Sequence, residues 1–229
     1  MHAELPGYLR HLMFRQYGSK GIRHGLRISL QAPPLSLDGP ETTAVMRSID
    51  WKAGDLMVSD HMRSQDPASR GHLEWIAWIL SSYQVLEPRF QSNEEVISFL
   101  EEASLRGFNT RSFRTGIRLA LRGIKNGNMD QAEKIYSTIL MQFGVDFEST
   151  SNVQNGSLDF DITFTFMAEV FNRHEVPELK SVMCKPIELC FAHLDSMRHG
   201  LAMQQMDGDA DEENASAYRF SVTHTGVTA

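Results

Sequence analysis

The spacing of hydrophobic and polar residues predicts helices over the first two-thirds of the chain. Apolar side chains recur every three or four positions there, which places them on one face of a helix. Five segments have this spacing: 41–49, 68–86, 96–103, 110–124 and 129–143. Pro67 before the second segment and Ser92 before the third are typical of helix N-termini. We therefore expect a helical assembly before residue 145.

After Gly144 the hydrophobic period changes from that of a helix to alternation. Apolar and polar residues alternate over 147–166, and Asn155-Gly156 within this segment is a frequent hairpin turn. The segments 200–206 and 218–222 predict two more strands. The segment 167–197, which lies between the hairpin at 147–166 and these two strands, predicts a helical hairpin. The sequence thus predicts an α+β fold, in which a helical N-terminal two-thirds packs on a four-stranded, mostly antiparallel sheet with an inserted helical hairpin.

The N-terminal segment differs from the rest of the chain in charge. Residues 1–30 contain five Lys and Arg residues against one Glu, and Gly18, Gly21 and Gly25 interrupt this run. We expect residues 1–40 to form a basic arm that lies across its own domain or on a second copy, where it would join a homo-oligomer. Residues 41–224 are expected to form a single α+β domain, followed by a tail at 225–229.

The composition is that of a globular protein and narrows the classes of partner. The 229 residues are 41% hydrophobic and 22% charged, and their net charge is −7. Binding to nucleic acids or to anionic membranes requires a basic protein surface, which an acidic protein does not favour. Neither is therefore expected as a partner. No stretch approaches the ~18 apolar residues of a membrane-spanning helix.

The cysteine content and the first residues indicate a reducing compartment. Cys184 and Cys190 are too few for a disulfide scaffold or a four-cysteine zinc site. The segment 1–8 lacks a basic stretch followed by an apolar one, so no signal peptide is expected. The predicted location is the cytoplasm.

Sequence motifs give no indication of a metal or a cofactor. His193, Asp195 and His199 would point in different directions on a helix, which does not suit a shared metal ion. The acidic segment 207–213 lacks the glycine at the sixth position and the closing glutamate of a twelve-residue calcium-binding loop. No phosphate-binding glycine motif occurs either, so we expect no metal and no cofactor.

A few polar and aromatic residues are candidates for a binding site. Trp51, Trp75 and Trp78 could line a ligand pocket, although aromatic residues at helical spacing usually belong to the core. Tyr83 and Arg114, together with Glu169, occur where a helix face and the sheet are expected to meet. These three residues are therefore candidates for substrate contact or proton transfer.

Cys184 and Arg219 are the two residues with the most distinctive chemistry. Lys185 next to Cys184 would favour a reactive thiolate, whereas a buried cysteine would act as a small apolar side chain. Arg219 lies between Tyr218 and Phe220 in a predicted strand. It would anchor a carboxylate or enolate in a cavity, or lie on the solvated face of the sheet.

Several short motifs in the chain are similar to those of one known family. They are Thr165–Phe171, Val176–Leu179, Cys184, Gly200-Leu201 and Ser216–Phe220, with the helical segment 77–90 upstream. This pattern resembles the L-2-amino-thiazoline-4-carboxylic acid hydrolase-like family, over roughly residues 55–222. The chain departs from the family pattern at three positions. Thr165 and Ser216 stand at cysteine positions, and Ile187 stands at an aspartate position.

The resemblance implies a divergent enzyme that acts on a small organic ring compound in specialised metabolism. Cyclisation, isomerisation or ring opening would then use Cys184 as nucleophile or pocket wall, Glu169 as acid or base and Arg219 as anion anchor. Thr165 and Ser216, with Tyr218, would contact the substrate. Two alternatives remain open, namely a non-catalytic ligand- or partner-binding protein on the same fold and a thiol-dependent hydrolase that uses Cys184.

The predicted site lies between the helical layer and the sheet. Cys184 and Arg219 would form its wall, because a helix N-terminus near Pro186 would direct positive potential outward and the arginine would need a partner. The opposite arrangement, with Cys184 packed in the core and Arg219 solvated, is the alternative.

Overall fold

The computed structural model describes two compact units of the chain. The described residues are 20–58, 67–109, 114–115, 118, 122, 126, 130, 133–137, 140, 146–152, 157–163, 165–195, 201–207 and 217–224. The first unit contains the described residues up to Asn109 together with Phe171–Pro186. The second contains those from 114 to 140, from 146 to Val170 and from Ile187 onward.

Four helices form most of the first unit. They are α1 (Lys20–Gln31), α2 (Gly39–Val58), α3 (Pro67–Leu86) and α4 (Asn93–Phe108). A short 3-10 turn, Glu87–Arg89, connects α3 to the segment before α4. Later in the chain come α5 (Thr165–Arg173), a 3-10 turn (Pro177–Leu179) and α6 (Lys180–Asp195).

Helices α1 and α4 form the most extensive helix pair, and glycine makes their close approach feasible. A Cβ atom at Gly25 would lie 1.9 Å from the Ala103 carbonyl oxygen, and one at Gly107 would lie 2.0 Å from the Gly21 oxygen. The pairs Gly21/Gly25 and Ala103/Gly107 have the same four-residue spacing, so small residues face each other over one helical turn. Because Gly21 lies near Gly107 and Gly25 near Ala103, the two helices run antiparallel.

Helix α3 is the centre of the first unit. Every residue from Trp75 to Tyr83 is buried, so no face of this helix meets solvent along that stretch. The Trp75 ring packs against Phe108 of α4, with ring centroids 5.5 Å apart. Arg23 of α1 lies over the Trp78 ring at 4.5 Å. Trp75 and Trp78 therefore belong to the core, as expected, whereas Trp51 is 73% exposed.

Four strands pair with one another in the order β1-β2-β4-β3. They are β1 (Asp146–Asn152), β2 (Ser157–Thr163), β3 (Leu201–Asp207) and β4 (Ala217–His224). All neighbours are antiparallel, and the β1–β2 register runs from Asp146 opposite Thr163 to Asn152 opposite Ser157. This is the pairing that the predicted hairpin requires, while its turn at Asn155-Gly156 lies outside the described residues.

The predicted α+β fold class, a helical layer packed on a sheet, is wrong. Of the residues whose side chains the structure describes, 85% are helical, and Ile162 is the only strand residue among them. The extensive helix contacts join α1–α4 to one another, and the strands contact one another. One reason is that the segment 20–31, which was expected in the arm, forms helix α1 and packs on α4.

The length and apolar character of the helices can be compared with those of membrane-spanning helices. Within the described part of the chain, no helix combines the length and the apolar character that crossing a bilayer requires.

Candidate functional site

A groove of about 820 Å³ lies in the first unit, along one face of α4. Besides α4, it is bordered by the loop after α1, the turn after α3 and one residue of α6. Its lining residues are Pro34, Leu35, Arg89, Phe90, Gln91, Glu94, Glu95, Ser98, Phe99, Glu101, Glu102, Leu105 and Lys185. We call this feature the α4 groove.

The start of α4 is fixed by a reciprocal capping arrangement. The Ser92 hydroxyl accepts a hydrogen bond from the Glu95 backbone N–H at 3.3 Å. The Gln91 backbone N–H in turn donates to Oε2 of Glu95 at 3.0 Å. One backbone donor of the first helical turn and one just before the cap are paired in this way. The cap also sets the register that brings Glu94, Ser98 and Leu105 to the same face of the helix.

The floor of the α4 groove is apolar. Phe90 and Phe99 pack with ring centroids 5.2 Å apart and planes tilted by 49°, and Phe99 is only 5% exposed. Leu35 reaches the groove because the loop after α1 folds back, with the Leu37 N–H donating to the Leu30 carbonyl oxygen at 2.8 Å. An aromatic pair and an aliphatic side chain therefore form a surface on which a planar ring can pack.

The rim of the groove carries charges of both signs. Glu94, Glu101 and Glu102 lie along α4, and Arg89 and Lys185 come from other elements. The pKa of Glu94 is lowered by a hydrogen bond from its own backbone N–H and by one from the Ser92 hydroxyl. This carboxylate therefore stays ionised below the usual glutamate range. Glu102 forms an ion pair with Arg106 at 3.1 Å.

Tyr83, one of the predicted substrate-binding residues, belongs to the first unit. It is 7% exposed, and its hydroxyl donates to Oε1 of Glu87 at 3.4 Å. Burial raises the pKa of this phenol, and the charge of Glu87, the hydrogen bond to it and the charge of Glu178 act in the same direction. Tyr83 therefore remains a neutral hydrogen-bond donor, but it does not line the α4 groove.

Cys184 also belongs to the first unit, one residue before Lys185 of the groove rim. It is 4% exposed within α6, which matches the packed alternative considered for this residue. Reactive cysteines are partly exposed in electropositive surroundings, so a nucleophilic Cys184 would need a path for its substrate. Its neighbour Pro186 lies inside α6 without ending the helix.

The remaining predicted residues belong to the second unit. Glu169 of α5 and Arg114 are exposed, and Thr165 is the first residue of α5. Arg219 of β4 is paired in register with Asp161 of β2 and Met206 of β3.

Two further predicted substrate contacts lie near Arg219 in the sequence. Tyr218 is paired in register with Ile162 and Asp207, and Ser216 lies outside the described residues. The predicted pocket with Cys184 and Arg219 at its wall stays a prediction.

The sequence does not indicate the α4 groove. It predicts the helix cap at Ser92 and Glu95, which the structure confirms, but it predicts α4 only as a helix with one buried face. The signal in the sequence for the α4 groove was the repetition of Glu94, Glu101 and Glu102, with Ser98, on the face of α4 opposite the core. Such a stripe usually marks solvated surface, and nothing local shows that Phe90, Leu35 and Lys185 meet it.

Among the described residues, no group of three or more His, Cys, Asp or Glu side chains is arranged to hold a metal ion.

Comparison of the chain with protein-family models, with curated proteins and with solved structures gave no match in any of the three. The resemblance to the hydrolase-like family therefore rests on the short motifs quoted above.

Proposed function

We propose that the protein binds a small organic ring compound in the α4 groove. The observation that carries this proposal is the combination of an apolar aromatic floor with a charged rim in a cavity of about 820 Å³. Ligand pockets typically measure about 300–1,000 Å³ and combine apolar walls with a few placed polar groups. The groove has that size and composition.

The two parts of the groove suggest how such a ligand is held. A planar ring packs on Phe90 and Phe99, where aromatic contacts contribute about 0.5–1.5 kcal/mol beyond burial. Polar substituents then meet Arg89 and Lys185, or the glutamates of α4. The same glutamates repel polyanions, so the groove is proposed as a site for a small molecule and not for nucleic acid.

Ring chemistry is the catalytic form of this proposal. The resemblance to the hydrolase-like family implies cyclisation, isomerisation or ring opening in specialised metabolism. Of the three residues that the resemblance gives catalytic roles, Cys184 belongs to the same unit as the α4 groove, and Glu169 and Arg219 belong to the second unit. Lys185 lines the groove directly after Cys184 in α6, which favours this form. The burial of Cys184 favours the non-catalytic form, in which the groove binds a ligand without reaction. In both forms we place the protein in the cytoplasm.

Blocking the groove tests the proposal. Ser98 is exposed and lines the groove, so Ser98→Trp fills it without disturbing the core. Thr43→Trp is the matched control, because Thr43 is an exposed hydroxyl residue of α2 that does not line the groove. We expect Ser98→Trp to weaken binding of benzylamine, benzoate or benzyl alcohol about tenfold or more, measured by titration calorimetry, and Thr43→Trp to leave it unchanged.

The same experiment separates the two forms of the proposal. If the wild-type protein binds none of the three compounds, or if both variants bind like the wild type, the α4 groove is not a ligand site. Where binding is present, mass spectrometry of cyclic amide and amidine compounds incubated with wild-type protein and with Cys184→Ala detects ring opening. Product formed by the wild type and lost in Cys184→Ala supports the catalytic form, and unchanged compound supports the binding form.

A further inference from the structure

Helix α2 carries a large exposed aromatic side chain that the α4 groove does not explain. Trp51 is 73% exposed and Val58 is 70% exposed, whereas Trp75 and Trp78 are buried. Tryptophan is enriched among the residues that dominate protein–protein binding energy, because it buries much apolar area with little loss of side-chain freedom. Its exposure on a regular helix points to a protein surface that is covered in an assembly.

The residues at equal distances before and after Trp51 lie on one exposed face of the helix. Six of them are exposed and lie three, four or seven positions before or after Trp51, on one face of α2. Together with Trp51 we call these residues the Trp51 face. The six are Ala44, Arg47, Ser48, Gly54, Asp55 and Val58.

Two copies of this face are complementary when the helices run antiparallel about a twofold axis at Trp51. A residue at a given distance before Trp51 then faces the residue at the same distance after it in the other copy. Arg47 meets Asp55 four positions away on either side, which forms two opposite-charge contacts. Within the described residues, neither Arg47 nor Asp55 forms an ion pair in the single chain.

The positions closer to and farther from the axis fit the same arrangement. Ser48 faces Gly54 three positions from Trp51, and a Cβ atom at Gly54 would meet nothing within 4 Å. Two small residues therefore leave room for the Trp51 ring between the helices. Seven positions from the axis, Ala44 faces Val58, and both are exposed apolar residues.

We propose that the Trp51 face binds a second copy of this chain as an antiparallel α2–α2 homodimer. This places the homo-oligomer contact on α2 and not on the basic N-terminal arm. Helix α1, which the sequence assigned to that arm, is already packed on α4 of its own chain.

The contact is expected to be weak and reversible. One helix face buries less than the about 1,200–2,000 Å² of a stable interface, and two chains of net charge −7 repel each other at low salt. A dissociation constant of about 10–100 µM follows for an interface of this class with one tryptophan at its centre.

Sedimentation velocity from about 1 to 500 µM measures this association. We expect Trp51→Ala to weaken the dimer at least about tenfold. Ile28→Ala is the matched control, because Ile28 is an exposed apolar residue on α1, 42% exposed, and outside the face; it should change the constant less than about twofold. A wild-type chain that remains monomeric at the highest concentration contradicts the proposal, and so does a Trp51→Ala variant that associates like the wild type.

A charge exchange tests the antiparallel twofold geometry itself. Arg47→Glu alone places a glutamate opposite Asp55 twice in its homodimer, and Asp55→Lys alone places a lysine opposite Arg47 twice, so each variant should associate more weakly than the wild type. In an equal mixture, the heterodimer of the two variants has one contact between the new glutamate and the new lysine and one between the native Arg47 and Asp55. Both are opposite-charge pairs, so association should return to within about threefold of the wild type. A mixture that associates no better than the separate variants rules out this geometry.

Discussion

At the scale of single residues, Gly25 makes the α1–α4 contact feasible. Alanine stabilises a helix by about 1 kcal/mol relative to glycine. A methyl group at Gly25, however, would lie 1.9 Å from the Ala103 carbonyl oxygen, which is backbone and has little room to move. Gly25→Ala is therefore expected to lower the free energy of unfolding by about 3 kcal/mol, because α1 must move away from α4. Urea denaturation followed by circular dichroism measures this change.

Gly54→Ala is the control for Gly25→Ala, since a Cβ atom at Gly54 meets nothing within 4 Å. This change should raise the free energy of unfolding by up to about 1 kcal/mol. Equal effects of the two substitutions would mean that helix propensity, and not the crossing, governs position 25.

The sequence also shows why the α1–α4 crossing was not predicted. Gly21 and Gly25 have the spacing of a helix crossing, but in a basic segment they suggested an irregular arm, and Ala103 and Gly107 lie about 80 positions away.

At the scale of elements, the local signals in the sequence predicted helices α3 and α4 well. Pro67 is the first residue of α3 and Ser92 caps α4, as their side-chain chemistry indicates. Helix α2 is longer than predicted, because it continues beyond Ile49, where the predicted segment 41–49 ends, to Val58. The exposed Trp51 weakened the apolar period there, so the sequence pattern ended before the helix does.

The cap of α4 gives a prediction with a defined pH dependence. Ser92→Ala removes the acceptor for the Glu95 N–H and should lower the free energy of unfolding by about 1 kcal/mol at pH ~7. The Ser92 hydroxyl also helps to lower the pKa of Glu94 in the folded protein. A lowered pKa adds stability above the unfolded value and loses it as the pH falls through the folded value. The effect of Ser92→Ala should therefore be smaller at about pH 3 than at about pH 7.

Denaturant titrations at the two pH values measure that difference. Ser48→Ala is the control, because the Ser48 hydroxyl donates only to the Ala44 carbonyl oxygen within α2, at 3.1 Å. Its effect should stay within about 0.5 kcal/mol and should not vary with pH. A penalty for Ser92→Ala that is constant between the two pH values would show that the hydroxyl does not influence Glu94.

At the scale of the whole molecule, the sequence could not show which surfaces meet. The α4 groove joins Leu35, Phe90 and Lys185, which are far apart in the chain. No local period encodes such a meeting, because a helix face reads the same whether it borders a cavity or solvent. The alternation of β2 indicated a strand, but it did not indicate what covers the strand. The prediction of a helical layer on a four-stranded sheet was wrong, because 85% of the residues whose side chains the structure describes are helical.

The division into two units leads to a prediction about how local damage spreads. Helices α1–α4 share one core, and the four strands form one hydrogen-bonded ladder. Gly25→Ala should therefore speed amide hydrogen exchange throughout 20–31 and 93–108, because loss of the crossing raises the population in which α1 is detached. Exchange in β2 and β4 should change less than about twofold, since their protection depends on strand pairing. Hydrogen exchange with mass spectrometry resolves these segments. A uniform increase across helices and strands would mean that the chain unfolds as a single cooperative unit. Gly54→Ala, the control, should not speed exchange in any of these segments.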